Sequence, residues 1–244
     1  MKAIILAGGK GTRLAPYTTV YPKPMLPVGE KPILEIIINQ LIYYGFKHIV
    51  LSVGYLSEII QAYFQNFNFS HNNGVTLSYI KEPEPLGTAG PIALVPNLTE
   101  TFLVMNGDVL TTIDYSKLVA LHKEEGALLT ISIQKREIKM DLGVVEVGEN
   151  NRVIKYIEKP TYNYFDGMGI YVYQPEVLKY IKPYEYTDFP MLVNRLLENK
   201  EKVLAYHHDK SHYWIDMGNH GDYKKANEAF AKRKWEFLPS NQYK

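Results

Sequence analysis

The sequence predicts an α/β fold with a doubly wound, mostly parallel sheet. Short apolar runs rich in β-branched residues alternate with segments of helical apolar spacing through the first half of the chain, the pattern of strand, crossover and strand. Right-handed crossovers lay such strands side by side in one direction. A glycine-rich turn, Gly8-Gly9-Lys10-Gly11, follows the first apolar run directly. Loops at the carboxyl ends of strands are where sheets of this kind bind ligands.

Residues 3–7 form the opening strand. Residues 32–44 carry apolar side chains at helical spacing, and Gly45 is placed to end that helix. Strands over 48–53, 75–80, 102–105 and 128–133 then alternate with helices over 57–67, 88–95 and 115–125. The second half is less regular, with strand-like runs at 143–147, 153–158 and 168–173, followed by helices over 176–181, 188–199 and 222–235. No Pro/Ser/Gly-rich linker or charge block divides the halves, so one domain is expected over residues 1–236, with a loose tail over 237–244.

Lys and Arg total 27 against 26 for Asp and Glu, a net charge of +1, so bulk electrostatics provide no attraction for nucleic acid or an anionic membrane. Neither partner is expected, and a polyanion has to be bound locally. The absence of cysteine rules out disulfides and thiolate chemistry and fits a reducing compartment. No signal-peptide pattern or membrane-length apolar run is present, so a cytoplasmic location is expected, and the N-x-[ST] strings at Asn68 and Asn97 read as chance matches. Most of the 20 tyrosines read as half-buried strand and helix positions, and the seven histidines lack a zinc spacing.

The glycine turn has a chemical reading beside its structural one. A backbone stripped of side chains brings N–H groups close to an anion, and Lys10, Arg13 and then Lys23, set between Pro22 and Pro24, add positive charge. That combination suits a polyphosphate. The GxxxxGK[ST] pattern is not met, and the third glycine of GxGxxG is missing, which argues against a dinucleotide-dependent oxidoreductase. Asn106-Gly107-Asp108 follows an apolar strand, so Asp108 should stand on the same rim as the loop; Asp216 follows the aromatic run Tyr213-Trp214. Either acid alone would read as a turn residue or helix cap. Together they meet what Mg2+ bound to a nucleoside triphosphate takes from a protein: one or two carboxylates, with phosphate oxygens and water completing the octahedron.

Leu6-Ala7-Gly8-Gly9-Lys10-Gly11-Thr12-Arg13-Leu14 followed by Tyr21-Pro22-Lys23-Pro24-Met25-Leu26-Pro27 closely resembles the N-terminal motif of the sugar-1-phosphate nucleotidylyltransferases. Later segments extend the likeness over nearly the whole chain: Asn106-Gly107-Asp108, Glu158-Lys159-Pro160 and Trp214-Ile215-Asp216-Met217-Gly218. The string Glu84-Pro85-Leu86-Gly87-Thr88-Ala89-Gly90 looks most like the mannose- and heptose-1-phosphate guanylyltransferases.

The resemblance implies a Rossmann-like nucleotidyltransferase (GT-A-like) fold, with a nucleotide-binding half over about residues 1–135 and a sugar-phosphate half over about 136–236. The family's longer members add a C-terminal β-helix, and no hexapeptide repeat for one is present here. It implies a reaction between a nucleoside triphosphate and a sugar 1-phosphate, dependent on Mg2+ held by Asp108 and Asp216. It assigns Arg13 to pyrophosphate, Lys23 to the α-phosphate, Lys159 to the sugar phosphate, and Glu158 to sugar hydroxyls. Gly143 matches the glycine that lets backbone approach the sugar ring, while Asp166 and Gly167 stand where relatives often carry Asn, Ser or Thr. Leu6 to Arg13, Glu82, Gly87 and Thr88 would complete the nucleotide site. A carboxylate accepts hydrogen bonds only, and guanine offers two adjacent donors, so Glu82 in a position where pyrimidine-specific relatives carry glutamine favours GTP. Thymidylyl, uridylyl and cytidylyl transfer remain alternatives, as does a non-catalytic regulatory subunit. Such subunits usually lose a ligand or loop cation that this chain retains. Relatives frequently form homo-oligomers.

Overall fold

The computed structural model describes residues 1–65, 67, 74–208 and 211–239. The Asn68 string lies outside them. The first half runs β1 (Lys2–Ala7), α1 (Tyr17–Val20), the short pair β2 (Pro27–Val28) and β3 (Lys31–Pro32), α2 (Ile33–Tyr43), β4 (His48–Val53), α3 (Ser57–Gln65), β5 (Thr76–Lys81), β6 (Phe102–Asn106), β7 (Val109–Thr111) and α4 (Tyr115–Glu125). The second half runs β8 (Leu129–Lys139), β9 (Val144–Val147), β10 (Val153–Ile157), β11 (Thr161–Tyr173), α5 (Phe189–Glu198), β12 (Val203–His207), β13 (Trp214–Asp216) and α6 (His220–Phe237).

Seven strands form the main sheet in the order β12-β8-β11-β6-β1-β4-β5. All run in one direction except β11, which is antiparallel to both β6 and β8. The chain fills one side of β1 with β4 and β5, then crosses to place β6 on the other side. That reversal opens a crevice at the carboxyl ends of β1 and β6, where Leu6 pairs with Asn106. Alternation along β1 serves both faces: Ala3, Ile5 and Ala7 join a core built from α2, α3, α4 and α6, while Ile4 joins one beneath α5.

Helix α2 ends as its glycine dictates. Gly45 takes φ 85° and Phe46 donates to the Leu41 carbonyl at 3.0 Å, closing the last turn. The expected helix over 88–95 is reduced to a 3-10 turn, Gly90–Leu94, because the Ala89 and Gly90 amides are committed to the Thr187 carbonyl at 2.9 Å each. The segment after β11 is likewise a 3-10 turn, Pro175–Tyr180. Strands β8 and β11 run well past the apolar cores seen in the sequence. Their outer parts pair from Thr161↔Lys139 to Asp166↔Gln134 as an exposed ribbon; the charged run Lys135-Arg136-Glu137 breaks the apolar pattern of β8, and Tyr162, Tyr164 and Phe165 of β11 stand exposed. Helix α6 continues through Phe237, where a loose tail was expected. That ring is fully buried, stacked on Phe230, and its carbonyl accepts from Gln40 Nε2 at 2.9 Å. Among the described residues no helix is long and apolar enough to cross a membrane.

Candidate active site

The glycine loop leaves β1 in contact with its neighbours' backbones. A Cβ on Gly54, beyond β4, would meet the Gly8 carbonyl at 2.9 Å, and one on Gly107, beyond β6, would meet the Leu6 carbonyl at the same distance. Gly11 adopts φ 63°, and its carbonyl accepts from the Thr18 hydroxyl at 2.8 Å and the Leu14 amide at 2.9 Å. The loop thereby folds down on Lys23, whose Cβ would lie 3.0 Å from a Cβ at Gly11.

Lys23 opens a 3-10 turn, Lys23–Met25, and its ammonium bonds to Asp108 Oδ2 while standing 3.6 Å from Asp216 Oδ1. The two acids are brought together by β13 pairing with β7, which sets Asp216 opposite Val109, and by Met217 N–H donating to the Asp108 carbonyl at 3.1 Å. Burial and then the charge of Asp108 push the Asp216 carboxyl up from its ordinary range, against the pull of Lys23 and Arg13. Asp216 Oδ1 is buried without a hydrogen-bond partner. Two carboxylates sharing one ammonium, one oxygen still unsatisfied, are a donor set that fits a hard divalent cation. Among the described residues no third acid or imidazole joins them, so phosphate oxygens and water would complete the shell.

A cleft of about 760 Å³ gathers the expected nucleotide residues: Leu6 through Arg13, Lys23, Glu82, Gly87, Thr88 and Asp108 all line it. It also takes in Asn106 of the Asn106-Gly107-Asp108 motif, and Tyr55 and Tyr186, which the sequence did not mark. Glu82 lines the cleft with both oxygens engaged: Ser52 Oγ donates to Oε1 at 2.9 Å and the Leu86 amide to Oε2 at 3.1 Å. A Cβ at Gly8 would stand 2.6 Å from Glu82 Oε1, so a side chain there would displace that carboxylate. Glu82 thus braces the 82–86 turn, and what it offers a base is its remaining lone pairs.

The expected sugar-phosphate residues stand apart from this cleft, on the exposed ribbon and the β9–β10 hairpin. Gly143 admits the Tyr156 ring, whose hydroxyl occupies the space a Cβ would need, and the same hydroxyl donates to Glu158 Oε2 at 3.0 Å. Lys159 is exposed, with φ 43°. Asp166 is ion-paired with Arg136 at 3.1 Å, and Arg136 lies over the Trp214 ring at 5.7 Å. Gly167 faces open space. The ribbon connects to the acids through β11: Trp214 Nε1 donates to the Met168 carbonyl at 2.8 Å, and Gly169 abuts the Asn106 amide.

The sequence matches the nucleotidyl transferase family over residues 2–233. The chain belongs to that family. Among nucleotidyl transferase relatives, a mannose-1-phosphate guanyltransferase of Schizosaccharomyces pombe is 37% identical over 91% of this chain and 62% of its own length. A UTP–glucose-1-phosphate uridylyltransferase of Synechocystis is 34% identical over 93% of this chain and 62% of its own. The chain therefore spans 62% of the length of these curated relatives. Among solved structures, HddC from Yersinia pseudotuberculosis superposes with a TM-score of 0.70 at 27% identity, covering 94% of this chain and 99% of that one. A complex of HddC with GMP-PN superposes at 0.67. The mostly parallel seven-stranded sheet matches the fold of these nucleotidyl transferases. It leaves the base and the sugar to be argued from the site.

Proposed function

We propose that this chain catalyses transfer of a nucleotidyl group from GTP to a mannose- or heptose-type sugar 1-phosphate, giving a nucleotide sugar and pyrophosphate. The observation that carries the reading is the convergence of the glycine loop, Arg13, Lys23 and Asp108 on one cleft at the sheet's switch point. Gly8 to Thr12 cradle the triphosphate through backbone N–H groups, and Arg13 neutralises the departing pyrophosphate. Lys23 faces the α-phosphate, where charge builds on the equatorial oxygens as the sugar phosphate attacks. The attacking phosphate monoester is already anionic, so no general base and no enzyme-bound intermediate are required. Asp108 and Asp216 would hold Mg2+, which when bound screens and orients the triphosphate. Lys159 anchors the sugar phosphate, with Gly143, Glu158, Asp166 and Gly167 around the sugar.

Guanine is supported by the guanyltransferase relative, by the GMP-PN complex of HddC, and by the acceptor-only chemistry of Glu82. Uridylyl transfer is the second reading, on the Synechocystis relative. A cytoplasmic location follows from the same proposal, because the substrates are intracellular metabolites. The test is pyrophosphate release with Mg2+ across GTP, UTP, dTTP, CTP and ATP, each paired with mannose, glucose and heptose 1-phosphates. Release with GTP and one mannose- or heptose-type partner is expected, and Asp108→Asn should lower it by about 100-fold or more while leaving the thermal midpoint near that of the parent. Undiminished release by that variant overturns the mechanism.

A further inference from the structure

The loop that precedes α5 reaches the nucleotide cleft from the other half of the chain. Its backbone is clasped to the cleft wall. The Thr187 carbonyl accepts from Ala89 and Gly90 at 2.9 Å each, and the Thr187 amide donates to the Leu86 carbonyl at 2.9 Å. Gly87 takes φ 80° between them, where a Cβ would stand 2.6 Å from the Thr187 carbonyl oxygen. Asp188 extends the clasp with its side chain: Oδ1 accepts from the Thr88 amide at 3.2 Å, and the Phe189 amide returns a bond to Thr88 Oγ1 at 2.8 Å.

Tyr186 stands at the end of this clasp. Tyr186 lines the cleft together with Gly8, Glu82, Pro83 and Pro85, and the residue is 52% exposed. An exposed tyrosine ordinarily leaves its hydroxyl to water. Here the hydroxyl donates to Asp188 Oδ2 at 2.5 Å, so one carboxylate fixes the phenol with one oxygen and the cleft wall with the other. A large ring is thus tethered beside a cleft whose lining takes in Gly8 and the Glu82-Pro83-Glu84-Pro85 turn. A flat aromatic face of this kind is a stacking surface for a nucleobase.

We propose that Tyr186 is a nucleobase-contacting residue of the nucleotide site and that Asp188 is the positioning residue that holds it. The inference rests on the nucleotide reading above and adds the wall against which the base packs. Because stacking is tolerant of base identity, Tyr186 sets affinity for the nucleoside part, and hydrogen-bonding groups elsewhere in the cleft discriminate among bases.

The test is calorimetric titration of the full chain with GTP, with UTP, and with inorganic tripolyphosphate as a probe that has no base. In Tyr186→Ala, GTP and UTP should each bind about tenfold or more weakly, while tripolyphosphate binds as it does to the parent. Tyr186→Phe keeps the ring but loses its bond to Asp188, so it should bind GTP and UTP more weakly than the parent yet more tightly than Tyr186→Ala, with tripolyphosphate unchanged. Asp188→Ala should weaken GTP binding, and should weaken it less when added to Tyr186→Ala, because the ring it positions is already gone. Parent-like GTP binding by Tyr186→Ala, or an equal loss of GTP and tripolyphosphate, overturns the proposal for Tyr186. Additive losses in the double variant overturn the role given to Asp188. If the parent binds tripolyphosphate and no nucleotide, the underlying nucleotide reading fails, and this inference fails with it.

Discussion

Replacing Lys23 with methionine removes an ammonium from between two carboxylates and keeps most of the apolar stem. Lys23 and Asp108 are 12% and 18% exposed at their side chains, and Asp216 is 41% exposed. Removing one partner of a fully buried ion pair costs about 3–5 kcal/mol, because a desolvated charge is left behind. Partial exposure of Asp216 and solvent screening reduce this to about 2 kcal/mol here. For a chain of this size that corresponds to a fall of about 4–8 °C in the thermal midpoint. Two acids without their cation are also a better site for a divalent ion, so millimolar Mg2+ should raise the midpoint of Lys23→Met more than that of the parent. Thermal melts of both proteins with and without Mg2+, in the absence of nucleotide, read both effects. Pyrophosphate release should fall by about 100-fold or more, as expected for loss of a fixed cation at the reacting phosphate. A variant as stable as its parent and no more responsive to Mg2+ would refute the idea that Lys23 neutralises this pair.

Two further outcomes follow from buried groups away from the acids. His122 is fully buried, bonded through Nδ1 to Thr130 Oγ1 at 2.8 Å, with Nε2 unpartnered; burial, then Lys123, lowers its pKa from 6.5 to about 4. Between those values the unfolded chain binds the proton and the folded chain does not, so stability contributed above pH 6.5 is lost progressively as pH falls toward 4. The loss from this residue is at most about 3 kcal/mol, and urea midpoints from pH 7 to 4.5 should fall less steeply for His122→Gln than for the parent. Gly87→Ala should cost at least about 2 kcal/mol in a denaturant melt, since its φ of 80° is disfavoured with a Cβ and that Cβ would press on the Thr187 carbonyl at 2.6 Å. Unchanged unfolding would mean that the clasp gives way more easily than its hydrogen bonds imply.

What could be read from the sequence was whatever local pattern alone determines. The strand over 48–53 and the helix over 115–125 match the observed β4 and α4 because each is a strongly apolar or well-capped segment, α4 closed by Asp114 at one end and Gly126 at the other. The glycine loop and Asp108 were legible for the same reason: both follow an unbroken apolar strand, and both line the cleft. The exposed ribbon of β8 and β11 was not, because its pairing is set by register with a distant strand. Nor was the use of Glu82, whose two internal donors, Ser52 and Leu86, come from different segments. Tyr186 carried no signal at all among 20 tyrosines, since its place depends on the clasp between loops about 100 positions apart.

The arrangement of charge in the cleft follows from its position in the fold. A crevice at the end of β1 and β6 collects the backbone N–H groups of the glycine loop, which attract anions, and the Asp108 carboxylate, which repels them. Held apart, these features would work against each other for a triphosphate ligand. Lys23 reconciles them, since its ammonium bonds to Asp108 and approaches Asp216 while its stem packs against Gly11 of the glycine loop. On the proposed reading, Asp108 and Asp216 would hold the divalent cation that accompanies a triphosphate, which would leave the Lys23 ammonium available to phosphate. The same cleft without that cation keeps Lys23 engaged with the acids. This is why the response of Lys23→Met to Mg2+ tests the site's electrostatic logic more directly than loss of turnover alone, which any damage to the cleft would produce.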